Sequence, residues 1–158
     1  IFRELYNIAW QDNWGFTPMT HAEARWMAKH LKPLLVPSLA LIAEVERCPI
    51  GFLILLPDYN QVLRHLNGRL GPVGLLKFLW YRRRIRDARL ILLGVRPEYR
   101  GRGVDALLYF FATRALNQRG FIHAEISWVL EDNWIVLRLV ERWGGVPYKR
   151  YRIYELPL

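Results

Sequence analysis

The residues best placed to do chemistry stand together at Arg100-Gly101-Arg102-Gly103-Val104-Asp105, directly after the apolar run Leu90 to Val95 and directly before a segment of helical spacing. A strand that ends in a glycine-rich turn at the start of a helix leaves several backbone N–H groups without intrahelical acceptors, all at the positive end of the helix dipole. Such a turn binds phosphate. Gly101 and Gly103 let the backbone approach an anion that a side chain would hold off, and Arg96, Arg100 and Arg102 add positive charge. No Gly-Lys-Ser/Thr follows, which excludes a mononucleotide P-loop, and the third glycine of a dinucleotide fingerprint is missing. A basic strand-to-helix turn without a ligand has the same local signature, so spacing alone leaves both readings open.

Presenting that turn requires a strand before it and a helix after it. Leu90 to Val95, bounded by Arg89 and Arg96-Pro97, reads as a central strand buried on both faces. Leu108, Phe111, Ala112, Ala115 and Leu116 recur at helical spacing, and Gly120 stands where that helix would stop. Upstream, Leu39 to Val45 and Ile50 to Leu56 are apolar runs separated by Glu46 to Pro49, which predicts an antiparallel hairpin. Helices are predicted over Phe2 to Trp10 and Thr20 to Leu31, the second opened by the capping sequence Thr20-His21-Ala22-Glu23. An insertion from about 58 to 88 holds a predicted helix from Gln61 to Leu66, a Gly/Pro break over Gly68 to Gly74, and an apolar, basic segment from Leu75 to Arg86. Phe121 to Val129 reads as a strand, Ile135, Val136, Leu139 and Val140 as a helix closed by Gly144-Gly145, and Tyr148 to Leu156 as a final strand near an edge.

With 158 residues, 53% of them hydrophobic, the chain is long enough for one well-buried core and short for two, so a single domain over 1–158 is expected. Its longest apolar runs fall far below the ~20 residues of a membrane-spanning helix. No signal peptide is visible and no initiator Met is present, which is the pattern of a fragment. One cysteine, Cys48, excludes an intrachain disulfide framework, and with four scattered histidines it gives no metal-ligand spacing; a reducing, cytoplasmic setting is expected. The net charge of +9 favours anionic partners and argues against a polycationic substrate, whose encounter it would slow.

The stretch Leu92 to Val104 resembles the acyl-CoA-binding motif of the GNAT N-acyltransferase superfamily, with Arg100 and Gly103 matching its Gln/Arg-x-x-Gly-x-Gly/Ala pattern. Glu131-Asp132-Asn133 and Glu141-Arg142-Trp143-Gly144-Gly145 resemble the superfamily's next motif, so the resemblance spans about residues 39 to 156. It implies an α/β (α+β) GNAT-like three-layer fold. The central sheet would be mixed and mostly antiparallel, with helices on both faces and the family's fourth and fifth strands splayed, here Leu90 to Val95 and Ile122 to Val129. It further implies acetyl-CoA or a longer acyl-CoA as co-substrate. The pyrophosphate would lie on Arg100, Gly101, Arg102, Gly103, Val104 and Asp105, and pantetheine would add itself like a strand to backbone groups of Leu93 and Val95. Asn133 would contact pantetheine through its side chain, and serves equally as a helix N-cap. Two residues depart from the pattern: Asp105 replaces a small residue, and Val140 stands where many members carry the acidic tyrosine. The family usually opens with a strand where this chain has helical sequence; either that strand is lacking or this is the C-terminal part of a longer protein.

Acyl transfer needs an amine to lose its proton and attack a thioester carbonyl while negative charge gathers on the carbonyl oxygen, where N–H groups beside Val95 would stabilise it. The expected base is Glu131, just beyond the fifth strand, with Glu44 second; the expected acids are Tyr148, Tyr151 and, after them, Tyr154. Each also has an ordinary reading, as a solvated carboxylate or a strand tyrosine with an exposed hydroxyl. His123 is expected to have no chemical duty. The expected function is therefore N-acyltransfer to a small-molecule or lipid-like amine acceptor. Its rivals are a CoA-binding module without turnover, a long-chain N-acyltransferase at a membrane surface, and a nucleic-acid binder. The last is not expected, because the seven tryptophans are scattered like packing residues and form no stacking platform.

In the insertion, Leu75, Leu76, Phe78, Leu79, Trp80 and Tyr81 beside Lys77, Arg82, Arg83, Arg84 and Arg86 resemble a membrane-surface segment, so peripheral membrane contact through 75–86 is one expected partner and a homodimer another. A helix packed on its own domain is the plain alternative.

Overall fold

A computed structural model describes residues 1–13, 15–126 and 129–156, and its chain divides into two compact units, Ile1–Ser127 and Trp128–Leu158.

The first unit is built on four strands, β1 (Ala40–Val45), β2 (Cys48–Pro57), β3 (Asp87–Val95) and β4 (His123–Ile126), in spatial order β1-β2-β3-β4. β1, β2 and β3 pair antiparallel and β4 joins β3 in parallel, so the sheet is mixed and mostly antiparallel as expected. The β1–β2 hairpin closes on two residues, Glu46 and Arg47, both with positive φ (49° and 64°), the backbone that a tight hairpin matched to strand twist demands. β3 begins at Asp87 and so takes up part of the predicted insertion.

Alternation along the strands puts Phe52 and Gly94 on one face and Gly51 and Val95 on the other. Against the first face packs α1 (Phe2–Trp10): Leu5, Ala9 and Phe52 form a buried cluster with Tyr6, Trp10, Ile54 and Leu92 around it. Gly94 makes that docking possible, since a Cβ there would lie 2.6 Å from the Phe52 ring and 2.9 Å from Ala9 Cβ. On the second face a Cβ added to Gly51 would come within 3.3 Å of Val104, the first residue of the helix Val104–Gln118. The helices on both faces thus make the third and first of three layers.

α2 (His21–Leu31) starts with the expected capping box, Thr20 Oγ1 accepting from Glu23 N and the Glu23 carboxylate from Thr20 N. The carboxylate accepts from Thr20 N and also from the Thr20 hydroxyl at 2.8 Å, and these two bonds, the backbone one first, hold that carboxyl below the usual carboxylate range. In the insertion, α3 covers only Asn60–Leu63, shorter than predicted, while α4 (Pro72–Tyr81) starts inside the predicted Gly/Pro break. Proline fits there because the first helical position needs no N–H, and Gly74 fits because a Cβ would lie 2.3 Å from the Arg69 carbonyl oxygen. The long helix Val104–Gln118 is α5.

The second unit contains α6 (Trp134–Arg142), whose N-cap Asn133 accepts from Val136 N at 3.4 Å. The strand predicted over Tyr148 to Leu156 is corrected by the structure: among the described residues of that stretch none is in a strand, and its side chains are exposed. Alternation supplies only a preferred face, whereas a strand exists by pairing with another. The strand predicted over Phe121 to Val129 is observed as His123–Ile126; Ser127 and Trp128 lie outside the described residues.

Candidate functional site

β2 covers one edge of β3 along its length, and the described residues of β4 pair with the first part of the other. The parallel ladder with β4 runs from Asp87↔His123 to Leu90↔Ile126, and β3 continues from Ile91 to Val95 with no β4 partner among the described residues. Arg96 N donates to Ile50 O at 2.9 Å, so by alternation the backbone groups of Gly94 and Leu92 also face β2, and those of Leu93 and Val95 face the edge away from β2. The structure therefore brings the two residues expected to meet pantetheine onto that edge. Their carbonyls are engaged by side chains: Trp10 Nε1 donates to Leu93 O at 3.0 Å and Arg100 Nε to Val95 O at 3.4 Å.

Beyond Val95 the chain makes a single turn, Pro97–Tyr99, then reaches Gly101 and Gly103 in the left-handed region (φ 69° and 81°), and Gly103 caps α5. Only glycine takes up that backbone without strain. The N–H groups of Gly101, Arg102, Gly103, Val104, Asp105 and Ala106 donate to no acceptor among the described residues; the first bond of the helix is Leu107 N to Gly103 O at 2.9 Å. A Cβ at Gly101 or Gly103 would meet nothing within 4 Å, so these glycines keep the approach open from outside and fill no packing need. Six adjacent free donors at the start of a 15-residue helix form an anion cradle.

The arginines divide. Arg100 is engaged by the protein although exposed: its Nη2 donates to Ala9 O at 2.7 Å, its Nη1 lies 3.6 Å from the Asp12 carboxylate, and its Nε donates to the Val95 carbonyl. It thereby bolts the C-terminal end of α1, where carbonyls lack helical partners, to the end of β3. Arg96 pairs with Glu98 at 3.1 Å and reaches the Cys48 sulfur at 3.6 Å. Arg102 is exposed, its guanidinium 5.5 Å from the Tyr99 ring centre. Asp105 sits in the first turn of α5, where the helix dipole favours it. Its charge adds to burial in pushing the Tyr109 phenol up to about 12. The Tyr109 hydroxyl is buried without a hydrogen-bond partner among the described residues.

The roles of Trp10, Ala9 and Asp12 were not legible in the sequence, because each meets a residue more than 80 positions away and no local pattern encodes that distance. Glu44, the second candidate base, is exposed on β1, two strands from β3 and so about 10 Å away in the sheet plane. His123 contacts Asp87 at 3.2 Å, and Gln61 donates to the same carboxylate, which ties the insertion to the start of the β3–β4 ladder. Glu131, Asn133, Tyr148 and Tyr151 belong to the second unit. There Asn133 caps α6 and Glu131, Tyr148 and Tyr151 are exposed, with the Lys149 ammonium 5.1 Å over the Tyr148 ring. Among the described residues no group of histidine, cysteine and acidic side chains could hold a metal ion, and no helix is long and apolar enough to cross a membrane.

Residues 1–144 match the sequence model of the Acetyltransferase (GNAT) family. Protein YghO of Escherichia coli (strain K12) is 44% identical over 161 residues, taking in 98% of this chain and 41% of that protein. The bacterial ceramide synthase of Caulobacter vibrioides is 37% identical over 161 residues, 98% of this chain and 42% of that one. The chain thus spans about two-fifths of the length of these curated relatives. Among solved structures, AAC(6')-Iy in complex with the bisubstrate analogue CoA-S-monomethyl-acetylneamine superposes with a TM-score of 0.63 at 18% identity, covering 99% of this chain and 90% of that one. PH1933 from Pyrococcus horikoshii superposes with 0.64 at 16% identity over 96% and 82%. At these identities the likeness is one of fold.

Proposed function

The chain belongs to the GNAT acetyltransferase family, and from that premise we propose that it binds acyl-CoA at the β3–α5 turn and transfers the acyl group to an amine. One observation carries this reading: six N–H groups over 101–106 that have no acceptor among the described residues lie at the end of β3, directly ahead of α5. The donor supplies the thioester. The N–H groups of the turn hold its diphosphate, with Arg102 as the cation free to reach it. The edge of β3 away from β2 carries the N–H groups of Leu93 and Val95, to which the amide-bearing arm adds as one strand adds to another. An N–H beside Val95 then donates to the carbonyl oxygen on which charge develops. Arg100 acts by position, since its side chain fixes the turn to α1.

The acceptor we assign is a lipid-like amine and the donor a long-chain acyl-CoA. Support comes from the 37% identity to a protein named as a ceramide synthase, which extends over 98% of this chain.

The test is calorimetric titration with free CoA, acetyl-CoA and a sixteen-carbon acyl-CoA, together with Gly103→Leu and an assay of CoA release with short and long-chain amines. All three ligands bind, the long acyl donor tightest, and only the long-chain amine releases CoA at an appreciable rate. In Gly103→Leu the affinity for all three falls by more than about tenfold while the melting temperature stays within a few degrees, as a strained but unpacked position implies. Unchanged affinity in that variant would show that the turn does not hold the diphosphate.

A further inference from the structure

The insertion between β2 and β3 is an outlier in charge and in surface. From Tyr59 to Arg86 it carries seven of the 23 cationic side chains and none of the 14 carboxylates, so +7 of the net +9 sits in 28 of 158 residues. Its helix α4, Pro72–Tyr81, includes one charged residue, Lys77, and has no buried residue. A helix on the surface of a domain turns its apolar stripe inward and its polar side outward. α4 does not. Its inner side is Gly74, Phe78 and Tyr81: Phe78 stacks on Tyr59 (5.8 Å, 10°) and Tyr81 on His65 (4.2 Å, 11°). The opposite side is Val73, Leu76 and Trp80, exposed by 67%, 69% and 61%, with Leu70 before it exposed by 68%.

An apolar outer face on a ten-residue helix cannot span a bilayer, because its length of ~15 Å is about half the hydrocarbon core. It has the dimensions and composition of a helix lying in the bilayer interface. The cations stand where such a helix needs them. Arg82, Arg83 and Arg84 follow α4 in a tight turn, and the Arg84 guanidinium lies 4.8 Å over the Trp80 ring, holding together an apolar anchor and a headgroup cation. A cleft of about 630 Å3 runs along the N-terminal half of α4, lined by His65, Arg69 and Lys77 beside Val73. It offers a second group of cations to phosphate.

We propose that the α3–α4 insertion docks this protein on the surface of an anionic phospholipid bilayer, with Leu70, Val73, Leu76 and Trp80 set among the upper acyl chains and Arg69, Lys77 and Arg82 to Arg84 on the headgroup phosphates. Charge selects this occupant over a second copy of the chain, since apposing two α4 faces would bring +7 against +7. It is selected over nucleic acid because phosphate contacts give no use to four exposed aliphatic and aromatic anchors. The inference does not rest on the acyl-transfer reading.

The experiment is sedimentation with vesicles of phosphatidylcholine alone and with 30% phosphatidylglycerol, alongside quenching of tryptophan emission by acyl-brominated lipid. The protein partitions onto the anionic vesicles and leaves the neutral ones in solution. Arg82→Gln, Arg83→Gln and Arg84→Gln together lower the partition by roughly a hundredfold, at about fivefold for each charge removed. Leu76→Asp lowers it by at least about tenfold. Bromine quenches part of the emission, and Trp80→Phe removes that part. CoA titration in lipid-free buffer reports on folding and on the acyl-CoA site separately, and it is the same in Leu76→Asp as in the parent. Equal binding to neutral and anionic vesicles, insensitivity to Leu76→Asp, or absence of vesicle binding with a dimer that Leu76→Asp dissociates would each overturn the proposal.

Discussion

At the scale of single residues, Arg100 shows how one side chain serves two ends. The motif position marks it as a cation for phosphate, and the structure gives its guanidinium to Ala9 O, Asp12 and Val95 O. Among the described residues the N–H groups of the turn then remain as donors, next to an arginine that joins α1 to the end of β3. Tyr109 is a different case, a phenol buried near the start of α5 whose hydroxyl has no partner among the described residues. Burial first, and the Asp105 charge second, push it up to about 12. The unfolded phenol ionises near pH 10, so the folded state keeps its full advantage below about pH 10 and loses it as pH climbs through about 12. Tyr109→Phe removes both the unpaired hydroxyl and the titration. It stabilises by about 1 kcal/mol, a rise of about 2–4 °C in melting temperature at pH 8, and the gap over the parent widens at pH 11. Thermal melts of both proteins at the two pH values check this; parallel pH dependence would exclude Tyr109 as the titrating group.

At the scale of elements, the end of β3 at Leu93 and Val95 is set by α1 as much as by the strand. α1 lies on the sheet because Gly94 offers no side chain, and from there Trp10 reaches the Leu93 carbonyl and Ala9 receives Arg100. Gly94→Ala places a methyl group 2.6 Å from the Phe52 ring and 2.9 Å from Ala9. Overpacking of this kind costs about 1–3 kcal/mol, a fall of roughly 2–12 °C in melting temperature. Hydrogen exchange localises the effect: amides of Leu5 to Trp10 lose protection while those of β1 keep theirs. A melting temperature within 1 °C of the parent would mean that α1 has room to shift without cost.

At the scale of the whole molecule, order and charge are both unevenly distributed. Fully buried Leu39, Phe52, Leu53 and Val62 lie in the first unit, whereas α6 in the second has no buried residue and Tyr148 to Leu156 are exposed. Protection against exchange follows buried contacts and paired backbone. Amides of β2 and β3 are therefore the slowest to exchange and those from Tyr151 to Glu155 among the fastest, as proteolytic fragmentation with mass analysis would record. Slow exchange in that last stretch would mean that it pairs with something beyond its own unit. The charge is equally local, since outside the stretch from Tyr59 to Arg86 the chain is only slightly basic.

The sequence by itself determined what local spacing controls. The apolar run into Arg100 to Asp105, the helical recurrence from Leu108 to Leu116 and the Thr20–Glu23 box each act within a few residues, so propensity, capping and glycine backbone preference specify β3, α5 and α2 before any packing occurs. The apolar and basic character of residues 75–86 was legible for the same reason. Tertiary structure alone decided the rest. Whether Tyr148 to Leu156 forms a strand depends on a partner, and whether Trp10 and Arg100 meet the edge of β3 depends on contacts spanning more than 80 residues. Which side of α4 faces outward turns on the stacking of Phe78 and Tyr81 on Tyr59 and His65. Both sides of that helix are apolar, so periodicity could not choose between them, and the choice fell to the rings that found partners.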